Sequence, residues 1–232
     1  ELEKNSLSRN TIIHYNDVFK NHVKSQRIAQ IPINRINYTM LQTHFNQLKT
    51  LGKSLVTAQK IIFNRAFRHA LKCGYIQNNP MHDIKVSYKE RNVETHVLTY
   101  DELENAISCF LDMRGNFNKY SYCIATYCGY YLGLRISEIL ALEKTDFDFE
   151  NNVVTISKKL ESRHLKKSEM YLTENMKTKA SKAVLPLPAP LKTILLEWFA
   201  FDPYDLVCCD ESGDFIHEFA FGRACKKIGN KL

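Results

Sequence analysis

Two changes of pattern along 232 residues predict a mainly α chain with a small antiparallel β-sheet, in which an N-terminal helical bundle precedes an α+β domain. Apolar residues keep helical spacing to about residue 74 and again from 98 to 142, then give way after Asn151-Asn152 to short β-branched runs before helices return. Charge divides the chain near the same place. Residues 1–95 carry 15 Lys and Arg against 6 Asp and Glu, a net of +9, whereas residues 96–232 carry 17 against 19, a net of −2. So strong an asymmetry marks the N-terminal part as the one that meets a polyanion, with nucleic acid or an anionic membrane surface as candidates.

In order, Ser8 caps a first helix whose Ile12, Tyr15, Phe19 and Val23 share a stripe, and Pro32 ends the connection after it. A second helix from about Thr39 buries Leu41, Phe45 and Leu48 and stops at Gly52, which is free to adopt the left-handed conformation of a helix end. Ser54 then caps the longest helix, through Leu55, Ala58, Ile62, Ala66, Ala70 and Leu71 to Gly74. Its opposite face carries Lys60, Arg65, Arg68 and Lys72, cations at a spacing suited to a phosphate backbone. Asn78-Asn79-Pro80 closes the bundle, and the polar stretch from Lys85 to His96 reads as an interdomain connection. The resulting division is a basic helical domain at residues 1–88, a linker at 89–96 and a second domain at 97–232.

That second domain opens on Thr99 and Glu102, a capping box before Leu103, Ile107 and Phe110. Another helix runs from about Lys119 to Leu132. After Gly133, a helix starts at Arg135 with Ile136, Ile139, Leu140 and Leu142 at core spacing. Strands follow at Val153 to Ile156, Glu169 to Thr173 and Ala183 to Leu187. Pro188 and Pro190 precede a helix through Leu195, Leu196, Trp198 and Phe199, and a last helix covers about Glu218 to Ile228.

Arg135 is the most informative residue. Folding does not require a cation in so apolar a stretch, and a guanidinium at a helix start, facing the interior, offers a rigid fork of donors to a phosphate or carboxylate. An ion pair with Glu138, one turn later, is the alternative reading. About 40 residues on, Asn175-Met176-Lys177-Thr178-Lys179-Ala180-Ser181-Lys182 forms what reads as a Lys-rich hairpin turn between the last two strands.

Seven cysteines form an odd set without a Cys-x-x-Cys pair, and none is read as having a His at metal-ligand spacing. They are expected to be reduced residues of a cytoplasmic protein, with Cys208-Cys209 in a short buried strand. No apolar run approaches the roughly 18 to 20 residues that span a bilayer, so no membrane partner is expected.

Gly133-Leu134-Arg135-Ile136-Ser137-Glu138-Ile139-Leu140-Ala141-Leu142, then Asp146-Phe147-Asp148-Phe149, a strand, and Lys177-Thr-Lys-x-Ser-x-x-x-x-Leu-Pro-Leu together resemble the tyrosine recombinase (phage integrase) family. The N-terminal part is similar to that family's SAM-like core-binding domain, so the resemblance covers nearly the whole chain. It implies site-specific DNA recombination or integration of a phage or mobile element through a 3′-phosphotyrosyl intermediate. Double-stranded DNA would be clamped by the two domains, with a tetramer forming on DNA in the full-length protein. It also implies Arg135 as the first catalytic Arg and Lys177 as the general acid, with Lys179 as runner-up for that role and as a DNA contact. No metal or nucleotide cofactor is implied, because the phosphotyrosyl link conserves the bond energy for religation.

The family's His-x-x-Arg box and nucleophilic Tyr have no counterpart in these residues. His217 is followed by Glu-Phe-Ala, and Tyr171 and Tyr204 read as structural. The chain is therefore expected to be a fragment with a catalytic domain truncated at its C-terminus, inactive alone. A non-catalytic DNA-binding protein or remnant with a recombinase fold is the alternative, and a basic RNA-binding protein is disfavoured by the lack of an aromatic ribonucleoprotein motif.

Overall fold

The computed structural model describes residues 7–90, 96–113, 118–176 and 182–229. The chain divides into two compact units, Glu1–Thr95 and His96–Leu232, each with its own hydrophobic core.

In the first unit Ser8 caps α1 (Arg9–Val18), its side chain accepting from the Thr11 amide at 3.3 Å. The chain then widens into a π-helical turn over Phe19–Val23, which rotates the stripe: Val18 and Val23 are buried while Phe19 is exposed. Asn37 caps α2 (Tyr38–Gln47), which buries Leu41 and Phe45. Two expectations fail at the next junction. A 3₁₀ turn at Leu48–Thr50 finishes the helix before Gly52 is reached, and Gly52, with φ −69°, starts α3 (Lys53–Lys72) instead of ending α2. Ser54 lies inside the first turn and caps nothing.

Along α3 the buried residues are Val56, Ala58, Gln59, Phe63, Phe67 and Ala70, whereas Ala66 and Leu71 are exposed. Helix α3 carries two apolar stripes, and the one with the larger aromatic area takes the core. Gly74, at φ +73°, does provide the left-handed stop. The stretch after Pro80 belongs to this unit rather than to a free connection. Met81 and Ile84 are in its core, the Gln42 amide brackets the Lys85 backbone at 2.8 and 3.0 Å, and the Lys89 amide donates to the Leu51 carbonyl at 2.8 Å.

His44 is buried between the rings of Phe45 and Phe63, each 5.3 Å away. Burial lowers its pKa from the ordinary 6.5, and the neighbouring Gln59 amide opposes this in part. The two side chains meet without a well-formed hydrogen bond, since Nε2 of His44 and both Gln59 amide atoms are unpartnered. A His that folds neutral makes the unfolded state the better proton binder below its unfolded pKa. The first unit is therefore expected to lose stability as pH falls below about 6.5, until the lowered folded value is passed. Urea unfolding between pH 8 and pH 5 checks this, and His44→Phe should flatten the slope.

The second unit begins with Thr99, which closes a capping box with Glu102 at the start of α4 (Tyr100–Leu111); the reciprocal bonds are 3.3 and 2.8 Å. Helix α4 packs its Leu103, Ile107 and Phe110 face against α5 (Asn118–Leu132). A single turn, α6 (Ile136–Ile139), follows Gly133, whose φ of +64° turns the chain out of α5. Strands β1 (Phe147–Asp148) and β2 (Val153–Ile156) meet as an antiparallel pair across Asn152, itself at φ 54°.

Beyond β2 the observed sheet differs from the expected one. Strand β3 (Lys159–Glu161), not foreseen, pairs with β4 (Tyr171–Thr173), while β5 (Ala183–Pro186) returns to β2 with Val154 opposite Leu185. The described strands β4 and β5 thus lie in different sheets, and residues 177–181 of the Lys-rich segment between them, on which the hairpin expectation falls, lie outside the described residues. Helices α7 (Ala189–Phe201) and α8 (Glu218–Gly229) complete the core with Leu191, Leu195, Trp198, Ala224 and Ile228. Cys208 and Cys209 are fully buried, but only an isolated bridge, Cys209 to Phe215, forms there.

Candidate active site and nucleic-acid interface

Arg135 sits where α5 has ended and α6 has not begun. Its backbone is extended (φ −73°, ψ 148°), its amide donates to Glu138 Oε2 at 2.9 Å, and its Nη1 donates to Glu138 Oε1 at 2.8 Å. One carboxylate therefore fixes both the main chain and the guanidinium of the same residue. The expected burial is reversed: the Arg135 side chain is 60% exposed and that of Glu138 only 8%. Ile139, Leu140, Ala141 and Leu142, all buried, anchor the turn from below. Because α6 is a single turn it has little macrodipole, so attraction for an anion at this point comes from the guanidinium itself.

Strand β3 packs directly against α6 and brings further charge to this end of the unit. Lys159 pairs with the buried Glu161 at 2.6 Å. Glu218, at the head of α8, has its pKa raised, first by burial and then by the Glu161 charge. Lys158, at the exit of β2, is mostly buried and bridges Glu143 at 2.6 Å and Asp146 at 2.9 Å. Its pKa is raised because the two carboxylates outweigh the burial that would lower it. Lys158 thus ties the turn after α6 to the sheet. Sequence spacing gave no sign of β3, since Lys-Leu-Glu has neither a β-branched residue nor enough length to alternate.

Lys177 and Lys179 lie outside the described residues. The flanks of their segment are joined by Lys182 and Glu174, 2.8 Å apart and both exposed. Tyr204 donates its hydroxyl to the Glu211 carbonyl at 2.6 Å, and its ring lies so close to Gly213 (φ +79°) that a Cβ there would meet it at 2.5 Å. Tyr171 is on β4, and His217 Nδ1 accepts the Phe219 amide at 3.3 Å, at the start of α8.

In the first unit the four cations of α3 part company. Lys60 donates to the Ile84 carbonyl at 2.7 Å and holds the closing segment; Arg65 lies over the Tyr15 ring at 5.5 Å. Both are half-buried, whereas Arg68 and Lys72 are exposed. At the other end of α3, Gly52 offers no capping side chain, and a cleft of ≈ 570 Å³ is lined by Lys53, Ser54, Tyr88, Lys89 and Glu90. Neither Lys53 nor Lys89 was singled out from sequence, because Gly52 was read as a stop and Lys89 fell in the expected linker.

No family model matches the chain. A curated protein described as "Tyrosine recombinase XerC-like", from Caldanaerobacter subterraneus subsp. tengcongensis, is 26% identical over 207 residues, which takes in 85% of this chain and so reaches both units. The chain is therefore similar to a tyrosine recombinase over most of its length. It spans about half the length, 52%, of that relative. The recombinase fold is also seen in solved structures. The Tn1549 transposon integrase, in complex with transposon right end DNA, is 19% identical and superposes with a TM-score of 0.77, covering 99% of this chain and 76% of its own. A lambda integrase tetramer bound to a Holliday junction is 15% identical with a TM-score of 0.68, covering 98% and 63%. No described helix is long and apolar enough to cross a membrane.

Proposed function

We propose that this chain binds duplex DNA and supplies part of the active site of a tyrosine site-specific recombinase serving a phage or mobile element. The observation that carries the reading is Arg135, held at a chain turn by a buried carboxylate with its guanidinium toward solvent, on a recombinase fold. A phosphate arriving from DNA is the ligand whose geometry a planar guanidinium matches.

Cleavage would proceed by attack of a tyrosine hydroxyl on the scissile phosphorus. The bond to the departing 5′ oxygen breaks, leaving a 3′-phosphotyrosine ester whose energy is kept for religation. Arg135 offsets the charge that accumulates on the non-bridging oxygens in the pentacoordinate transition state. Glu138 positions Arg135 and does not react. Lys177 delivers a proton to the 5′ oxygen as it leaves. Arg68, Lys72 and Lys179, with Lys53 and Lys89 added from the structure, contact phosphates; Lys60 and Arg65 support that face by holding its shape. Assembly as a tetramer on DNA belongs to the same proposal.

Lys177→Ala tests the proton transfer. In a cleavage-competent protein containing these residues it should slow cleavage at a normal 5′ oxygen far more than at a 5′-bridging sulfur, whose leaving group needs no proton. Equal slowing on both substrates would remove Lys177 from the role. The same selectivity in Lys179→Ala would move the assignment two residues along.

A further inference from the structure

Helix α3 ends with His69 and Cys73 on adjacent turns of one face, His69 Nε2 and Cys73 Sγ being 3.5 Å apart. Both are exposed. Positions i and i+4 are the spacing at which one helix presents two ligands to a single ion. With Zn–S about 2.3 Å and Zn–N about 2.0 to 2.1 Å, two ligands of a tetrahedral zinc ion stand about 3.5 to 3.6 Å apart. The observed pair already has that separation, so an ion fits between the two atoms without a backbone shift. The hydrogen bond now joining them occupies the place a metal would take.

Cys73 is also set apart from the other thiols. Burial pushes Cys123, Cys128 and Cys209 up to about 12 and Cys208 well above its ordinary range, whereas Cys73 is the exposed thiol of the seven. Its position at the carbonyl end of a 20-residue helix favours a cation, with Lys72 next to it as an opposing charge. The expectation that no cysteine has a His at metal-ligand spacing is thus corrected, since His69 and Cys73 stand four residues apart on one helix face.

We propose that His69 and Cys73 form a two-ligand imidazole–thiolate site for a borderline-soft divalent cation, zinc foremost. Among the described residues no group of three or more His, Cys, Asp or Glu is placed to hold a metal, so the remaining coordination positions are open to water or an outside ligand. Binding replaces the S–H bond by a metal–sulfur bond and releases that proton to solvent, and affinity accordingly rises with pH. If α3 meets DNA as proposed above, the bound ion adds positive charge beside Lys72. The metal site itself does not depend on that reading.

Cobalt(II) titration of the whole chain, in a non-thiol reductant, tests the proposal. One equivalent should bind with a thiolate-to-cobalt charge-transfer band in the near ultraviolet, and zinc should abolish the band by displacement. Cys73→Ser should lose the band. His69→Ala should weaken binding by at least about tenfold, the loss that even outer-shell changes cause at metal sites. Both side chains are exposed, and an unchanged melting curve confirms that the variants fold. A band that survives Cys73→Ser, an affinity unchanged in His69→Ala, or no band in the parent protein at excess cobalt would overturn the site.

Discussion

Replacing Arg135 by Ala, in a cleavage-competent protein containing these residues, is expected to slow DNA strand cleavage by about 10²- to 10³-fold or more, the cost of removing one transition-state donor. Affinity for the site should stay within about tenfold, because one phosphate contact among many is a small share of binding. Arg135→Lys should recover only part of the rate, since an ammonium cannot grip two oxygens in a planar fork. The alternative role is structural. Glu138 spends both oxygens on Arg135, and with its side chain 8% exposed it depends on those contacts for its burial. Were the pair merely structural, Arg135→Ala would lower the melting temperature and DNA affinity together. Single-turnover cleavage, duplex affinity and thermal unfolding of the same variant separate the two roles.

The second large effect is electrostatic. A polypeptide of residues 1–95, with net charge +9, is expected to bind duplex DNA with steep salt dependence, and one of residues 96–232, at −2, to bind weakly. Each unit has a separate core, so each is a reasonable folding unit. Six to ten phosphate contacts would reduce affinity about 10³- to 10⁵-fold between 50 and 200 mM salt. Fluorescence anisotropy across that range measures the slope. Arg68→Glu with Lys72→Glu should make it shallower, whereas a flat slope in the parent unit would defeat the assignment of this unit to DNA.

What could be read from sequence depended on how local its physical cause was. The Ser8 and Thr99 caps, Gly74 and helices α4, α5, α7 and α8 rest on neighbours within four residues and stand close to where expected, whereas the helix expected from Arg135 is the single turn Ile136–Ile139. Gly52 and Ser54 exchanged meaning because a 3₁₀ turn at Leu48–Thr50 used residues that a simple helix-to-glycine reading had assigned to the helix. On α3, Leu55-Ile62-Ala66 and Val56-Phe63-Phe67 are both apolar stripes, and only the packing of Phe63 against Phe45 and His44 decides between them. Strand pairing is less local still. Nothing within β4 or β5 shows that the first joins β3 and the second β2. At the candidate site, the Arg135–Glu138 spacing was legible. Which partner is buried was not, because that depends on Ile139 to Leu142 anchoring the turn beneath Glu138.

The central claim is that Arg135 exists to meet the charge of a scissile DNA phosphate. It is tested most directly with a duplex in which that phosphate is replaced by a neutral methylphosphonate. If Arg135 acts by offsetting negative charge, a substrate without that charge needs it less. The rate gap between parent and Arg135→Ala should then shrink from about 10²-fold or more on ordinary DNA to within about tenfold on the neutral one. An undiminished gap on the neutral substrate would contradict the claim.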